Sequence, residues 1–142
     1  MNALDKALSL LSVREHTEKE IREKLRKKGF SYDEIDEAVS KLIADGLLSE
    51  KRFAESYIRS RFRKMPEGRG LLRMRLREKG SPPEAADEAI ESFWEEESYR
   101  KPLCTYYQVL VRKIGEEKAW LTLRTKGFTD SEIRNALQLV DD

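Results

Sequence analysis

Residues Glu20 to Leu42 read EIREKLRKKGFSYDEIDEAVSKL. Ile21 and Leu25 lie one helical turn apart, and the run stops at Gly29. A glycine just past a helix adopts the left-handed backbone that ends it without a Cβ clash. Lys28 before it suits the negative end of the helix dipole. Ser31 with Glu34 then has the spacing of a capping box, which starts a second helix. Ile35, Ala38, Val39 and Leu42 recur at i, i+3, i+4 and i+7, the buried stripe of that helix. The stretch is helix, tight turn, helix.

The same reading applies twice more along the chain. Leu71 to Phe93 is LLRMRLREKGSPPEAADEAIESF, and Lys118 to Val140 is KAWLTLRTKGFTDSEIRNALQLV. The three register on Gly29, Gly80 and Gly127, which are 51 and 47 residues apart. Leu72 and Leu76, like Ala119 and Leu123, take the places of Ile21 and Leu25. Ala86, Ala89, Ile90 and Phe93, then Ile133, Ala136, Leu137 and Val140, form the later stripes. Further capping boxes are expected at Ser81 with Glu84, Thr129 with Glu132, and Thr17 with Glu20. Pro82 is expected at a first helical position, where a missing N–H does no harm.

An additional helix precedes each pair. Its apolar faces are Leu4, Ala7, Leu8 and Leu11, then Phe53, Ala54, Tyr57, Ile58 and Phe62, then Leu103, Tyr106, Tyr107, Leu110, Val111 and Ile114. No segment shows strand alternation. The predicted fold is all-α: three tandem three-helix repeats, at 1–46, 47–97 and 98–142, stacked as an elongated, curved array of either hand. Met65-Pro66-Glu67-Gly68 is the clearest loop.

The 142 residues carry 28 Lys+Arg and 27 Asp+Glu, a net charge of +1, so any electrostatic role must come from charge distribution. No apolar run reaches the roughly 18–20 residues of a membrane span. The beginning, Met1 to Lys6, lacks the layout of a signal peptide, and the one cysteine, Cys104, excludes an internal disulfide. A cytoplasmic location and a monomer are expected.

The residues give no foothold for catalysis. His16 is the one histidine, beside a capping threonine, and is expected at the surface or next to the cap. Cys104 borders an apolar stripe and reads as packing. No cluster has metal-ligand spacing, and Gly68-Arg69-Gly70 lacks the Lys-Ser/Thr of a phosphate loop. No enzyme activity, catalytic residue, metal or cofactor is expected.

The charge is uneven in the middle. Ser60 to Lys79 holds Arg61, Arg63, Lys64, Arg69, Arg73, Arg75, Arg77 and Lys79 against only Glu67 and Glu78. Residues 84–97 hold seven acids and no base. In the first unit Glu18, Glu20 and Glu23 stand four residues before Arg22, Lys24 and Lys27, so that helix reads as self-neutralised. In the second, Arg69, Arg73 and Arg77 follow one another with no acid in line, and only Arg75 has a helical partner, Glu78. Either the acidic 84–97 segment compensates this stripe, or an external acidic surface or phosphate backbone does. The eight basic residues are the candidate partner- or DNA-binding patch.

Together, the ordered pieces resemble the RecX family of bacterial RecA regulators. They are Ala7-Leu8-Ser9-Leu10-Leu11-Ser12-Val13-Arg14, Thr17 to Leu25 (TEKEIREKL), Asp45-Gly46-Leu47-Leu48, Arg52 to Ile58 (RFAESYI) running into Ser60-Arg61, Gly68-Arg69-Gly70, and Lys79-Gly80. The resemblance covers nearly the whole chain. Arg75 departs from the family's usual acid before the leucine preceding Lys-Gly, and Ser49-Glu50 from its usual Asp-Asp. The resemblance implies a negative regulator that binds the RecA–DNA filament and inhibits recombinase, ATPase and coprotease activities, modulating DNA repair and the SOS response. A weak direct DNA contact is a further expectation. The alternative is a direct DNA-binding helical protein built on helix-turn-helix-like units.

Overall fold

A computed structural model describes the backbone of residues 1–141 and the side chains of residues 1–138. The side chain of the expected stripe residue Val140, and the whole of Asp142, the last residue of the third repeat, lie outside these. Among the described residues there are nine helices and no strand: α1 (Ala3–Val13), α2 (Glu18–Lys27), α3 (Tyr32–Ala44), α4 (Glu50–Lys64), α5 (Arg69–Glu78), α6 (Pro83–Glu95), α7 (Arg100–Ile114), α8 (Glu116–Thr125) and α9 (Asp130–Asp141). They pack in consecutive threes, α1–α3, α4–α6 and α7–α9. The exposed area is 8758 Å², against about 7,600 Å² for a compact monomer of this mass, so the molecule is extended.

Gly29, Gly80 and Gly127 all take φ between 92° and 95° and end the middle helix of their unit. The following amide then reaches back to the last turn: Phe30 to Leu25, Ser81 to Leu76 and Phe128 to Leu123. Capping boxes form at Thr17/Glu20, Ser31/Glu34 and Thr129/Glu132. The one expected at Ser81/Glu84 does not. Ser81 takes the place of Phe30 and Phe128, so the cap position falls on Pro82 and the first helical residue is Pro83. Neither proline can cap by side chain, and the buried Ser81 hydroxyl has no hydrogen-bond partner among the described residues.

Most of the expected stripe residues are buried, but in α7 only Leu103 is fully so: Tyr106, Tyr107, Leu110 and Val111 are half-buried and Ile114 is exposed. Leu8 is exposed, and α1 packs through Ala3 and Ala7. Phe93 is only half-buried, while Trp94 beside it is buried. The core divides unequally. Unit one has its own cluster around Ile21, Leu25, Val39 and Leu42. Units two and three share a single cluster, in which Phe62 meets Phe93, Trp94 and Phe128, and Trp94 stacks on Tyr99 at 5.3 Å. Cys104 lies in this shared core, where burial pushes its thiol up.

One contact joins the units at both seams. The lysine carbonyl of the Lys-Gly turn in a later unit accepts from the residue that caps the middle helix of the unit before. Thr17 Oγ1 donates to Lys79 O at 2.6 Å, and Gly68 N–H donates to Lys126 O at 2.8 Å. Thr17 and Gly68 stand at the same repeat position, twelve residues before their own turn glycines. The rest of the first seam is polar. Glu50 accepts from the Glu18 amide at 2.7 Å, and Arg52 pairs with Glu15 at 3.1 Å. Beside it lies a cleft of about 570 Å³ that includes Arg22, Ile43, Leu48, Glu50 and Pro82. The other Glu50 oxygen is buried without a partner among the described residues, and burial pushes this carboxyl up.

Candidate interaction surface

The eight basic residues of the central segment separate into two groups. Arg61, Arg69, Arg73 and Arg75 are engaged in ion pairs. Arg63, Lys64, Arg77 and Lys79 are exposed and have no carboxylate of the described residues within 4.0 Å.

Glu67 organises the first group. Its side chain is 1% exposed, and it accepts from Arg61 at 2.9 Å and from Arg75 at 2.7–2.8 Å. Burial opposes its ionisation, but the hydrogen bonds from Arg75 and Arg61 outweigh it and hold the carboxyl below the usual range. The loop acid thereby ties the end of α4 to the middle of α5. The expected partner of Arg75, Glu78, is not the one used: Arg75 turns back toward the loop.

Helix α5 begins at Arg69, so Arg69, Arg73 and Arg77 do share one stripe. Two of them are compensated from different directions. Arg73 pairs with Asp87 at 2.7 Å, the share taken by the acidic 84–97 segment. This repeats Arg22 with Asp36 at 2.6 Å in unit one, each pair lying seven residues either side of its turn glycine. It is a clamp between the second and third helices of a unit. In unit three Trp120 occupies the arginine position, and its indole N–H donates to Asp130 at 2.7 Å. Arg69 reaches into unit three instead. It lies 3.6 Å from Glu132 and 5.3 Å from the centre of the Trp94 ring, and the Trp94 indole also donates to Glu132. Arg69 is thus part of the seam between units two and three.

Unit one meets the sequence expectation at one of the three expected pairs, Glu18 with Arg22. Its helix is only partly self-neutralised. Arg22 is 3.9 Å from Glu18 but 2.6 Å from Asp36, Glu20 is held by Arg14 and by the cap at Thr17, and Glu23 forms no ion pair with Lys27. Lys24 contacts His16. Arg26, Lys27 and Lys28 are exposed, with no carboxylate of the described residues within 4.0 Å. Spacing along one helix could not show this, because Glu20 is claimed by the cap and by Arg14, and Arg22 by Asp36 of the next helix. His16 is buried, not superficial: 1% exposed, with Nδ1 2.9 Å from Arg14 O and Nε2 2.8 Å from Lys24 Nζ. Burial, helped by the charges of Arg14 and Lys24, pushes its pKa down against the hydrogen bond to the Arg14 carbonyl.

No helix of the described residues is long and apolar enough to cross a membrane. Two family models match the chain: the first three-helix domain of RecX over residues 3–42 and the second over residues 49–90. A regulatory protein RecX of Chlorobaculum tepidum is 36% identical over 141 residues, covering 98% of this chain and 88% of the relative. One from Haemophilus influenzae is 34% identical, covering 95% and 92%. One from Prosthecochloris aestuarii is 42% identical over 91 residues, 64% of this chain and 60% of that relative. The crystal structure of RecX from Lactobacillus salivarius superposes with a TM-score of 0.77 at 27% identity, covering 98% of this chain and 94% of the other.

Proposed function

The chain belongs to the RecX family of regulatory proteins, and from that premise we propose that it is a negative regulator of RecA. In this reading it binds the RecA–DNA filament and lowers recombinase, ATPase and coprotease activity, limiting DNA repair by recombination and the SOS response. The observation that carries the reading is the alignment with RecX regulators along almost the full length.

The three units, taken as 1–46, 47–97 and 98–142, present successive faces to neighbouring subunits of a filament. Of the eight candidate residues, Arg63, Lys64, Arg77 and Lys79 are the ones free to meet an acidic wall or exposed phosphates. Arg61, Arg69, Arg73 and Arg75 shape the surface by holding α4, α5, α6 and α9 together. The shared core of units two and three supplies a firm body on which the free cations sit.

The test is RecA ATPase on single-stranded DNA, titrated with this protein. Inhibition at stoichiometric amounts is expected. Changing Arg63, Lys64, Arg77 and Lys79 together to Gln should raise the half-inhibiting concentration about tenfold, equivalent to ~1.4 kcal/mol. An ATPase rate unaffected by the wild-type chain overturns the reading. Undiminished inhibition by the folded variant overturns the assignment of these four residues.

A further inference from the structure

The Lys-Gly turn is a docking element in units two and three, where it is covered by the preceding unit. In unit one the corresponding turn, at Lys28-Gly29, is left open by the described residues. A Cβ built on Gly29 meets nothing within 4 Å, whereas one on Gly80 lies 2.6 Å from Lys19 and one on Gly127 lies 3.4 Å from Gly68. On this uncovered turn stand Arg26, Lys27 and Lys28, all exposed and unpaired among the described residues. Next to them Tyr32 projects with 72% of its surface open. Arg26, Phe30, Tyr32 and Ile35, with Arg22, line a shallow groove of about 360 Å³.

From this placement we infer that the α2–α3 turn of unit one binds single-stranded nucleic acid. Arg26, Lys27 and Lys28 take the phosphates, and the groove beside Tyr32 takes a base. Three adjacent cations match a backbone carrying one charge per nucleotide. An aromatic face beside a cationic track is the recurring means of holding unpaired bases without reading their sequence. The groove falls near the lower end of the ~300–1,000 Å³ range of small-ligand sites, which suits a single base rather than a duplex. The nearby acids leave the track with an excess of positive charge: Glu23, on the same helix, forms no ion pair with Arg26 or Lys27 and offsets one of the three charges at most. Glu34 is held by the Ser31 cap and Asp36 by Arg22, leaving Asp33 as the free carboxylate in the first turn of α3. An acidic polypeptide would satisfy the cations but would leave the open tyrosine and its groove unexplained.

The inference does not depend on a recombinase, so its test uses none. The full chain is titrated into a fluorescein-labelled oligothymidylate at low salt and followed by anisotropy. Salt-sensitive binding is expected. Changing Arg26, Lys27 and Lys28 together to Gln should flatten the log–log salt slope by about 2, at about 0.7 per phosphate contact. Tyr32→Ala should weaken binding about tenfold, and Tyr32→Trp should restore it. Circular dichroism confirms that each variant keeps its helices. Three results overturn the inference: no binding of the wild type at low salt, an unchanged salt slope in the folded Gln variant, or equal binding by Tyr32→Ala and wild type. Displacement of the oligonucleotide by polyglutamate at equal charge concentration would assign the turn to an acidic protein instead. A positive result here alongside an unaffected RecA ATPase separates this site from the regulatory reading.

Discussion

A side-chain carbon on Gly68 would lie 2.2 Å from the carbonyl oxygen of Gly127, so the second and third units approach until main chain touches main chain. The Gly68 amide uses that approach to donate to Lys126 O. Gly68→Ala should therefore force the seam apart and destabilise the chain by roughly 1–3 kcal/mol, as overpacking does. Gly70, two residues on, faces open space within α5. Gly70→Ala should stabilise by about 0.5–1 kcal/mol. Urea unfolding of the two variants reads opposite shifts, and equal shifts would refute the seam contact.

Glu67 neutralises two guanidinium groups from a buried position. Glu67→Gln should cost about 1.5–3 kcal/mol, the range for hydrogen bonds to charged groups. Its depressed carboxyl also fixes a sign. The stability it contributes is present above the ordinary glutamate value of about 4.3 and is lost as pH falls through the lower folded value. Unfolding free energy measured from pH 5 to pH 3 should fall less steeply in Glu67→Gln than in the wild type.

His16 is buried among Arg14, Lys24 and, across the cap, Glu20, with Lys79 near Lys24. Burial is the main cause of the lowered value, the Arg14 carbonyl opposes it, and the charges of Arg14 and Lys24 reinforce it against the weaker pull of Glu20. Folding thus favours the neutral ring, with stability full above the ordinary histidine value of about 6.5 and reduced as pH falls below it. His16→Gln should remove this decline between pH 7.5 and pH 5.5, as followed by urea midpoints. The decline persisting unchanged would mean another group titrates there.

The Ser81 hydroxyl is buried with no partner among the described residues. Ser81→Ala removes a desolvated polar group and should be neutral or stabilising by up to about 1 kcal/mol. Thermal unfolding tests it. A loss above 1 kcal/mol would show that the hydroxyl is hydrogen-bonded in solution.

Nearly all of the helical plan was legible in the sequence, because helix stops, caps and apolar stripes are local signals. Where one failed, a local cause is visible. Ser81 has the right spacing to Glu84, but two prolines follow it and move the cap position onto Pro82. The charged surface was much less legible. Helical spacing suggested Glu78 for Arg75 and Glu23 for Lys27, but carboxylates went where the fold brought stronger claims: Glu67 to two arginines, Glu20 to a cap and Arg14. The Arg73–Asp87 clamp could have been read from its repeat partner Arg22–Asp36, since both pairs flank their glycines symmetrically. Arg69 could not, because Glu132 is 63 residues away and meets it only once units two and three are stacked.

The acceptor at both seams is a backbone carbonyl, of Lys79 and of Lys126. No point mutation can delete a main-chain oxygen. The acceptor side of each joint therefore depends on the shape of the turn, while the donor side depends on residue type: a hydroxyl at Thr17 and the missing Cβ at Gly68. Two chemically different donors meet the same acceptor: a threonine hydroxyl at one joint and a glycine amide at the other. Three units that share only a handful of identities can in this way remain stackable relatives within one gene.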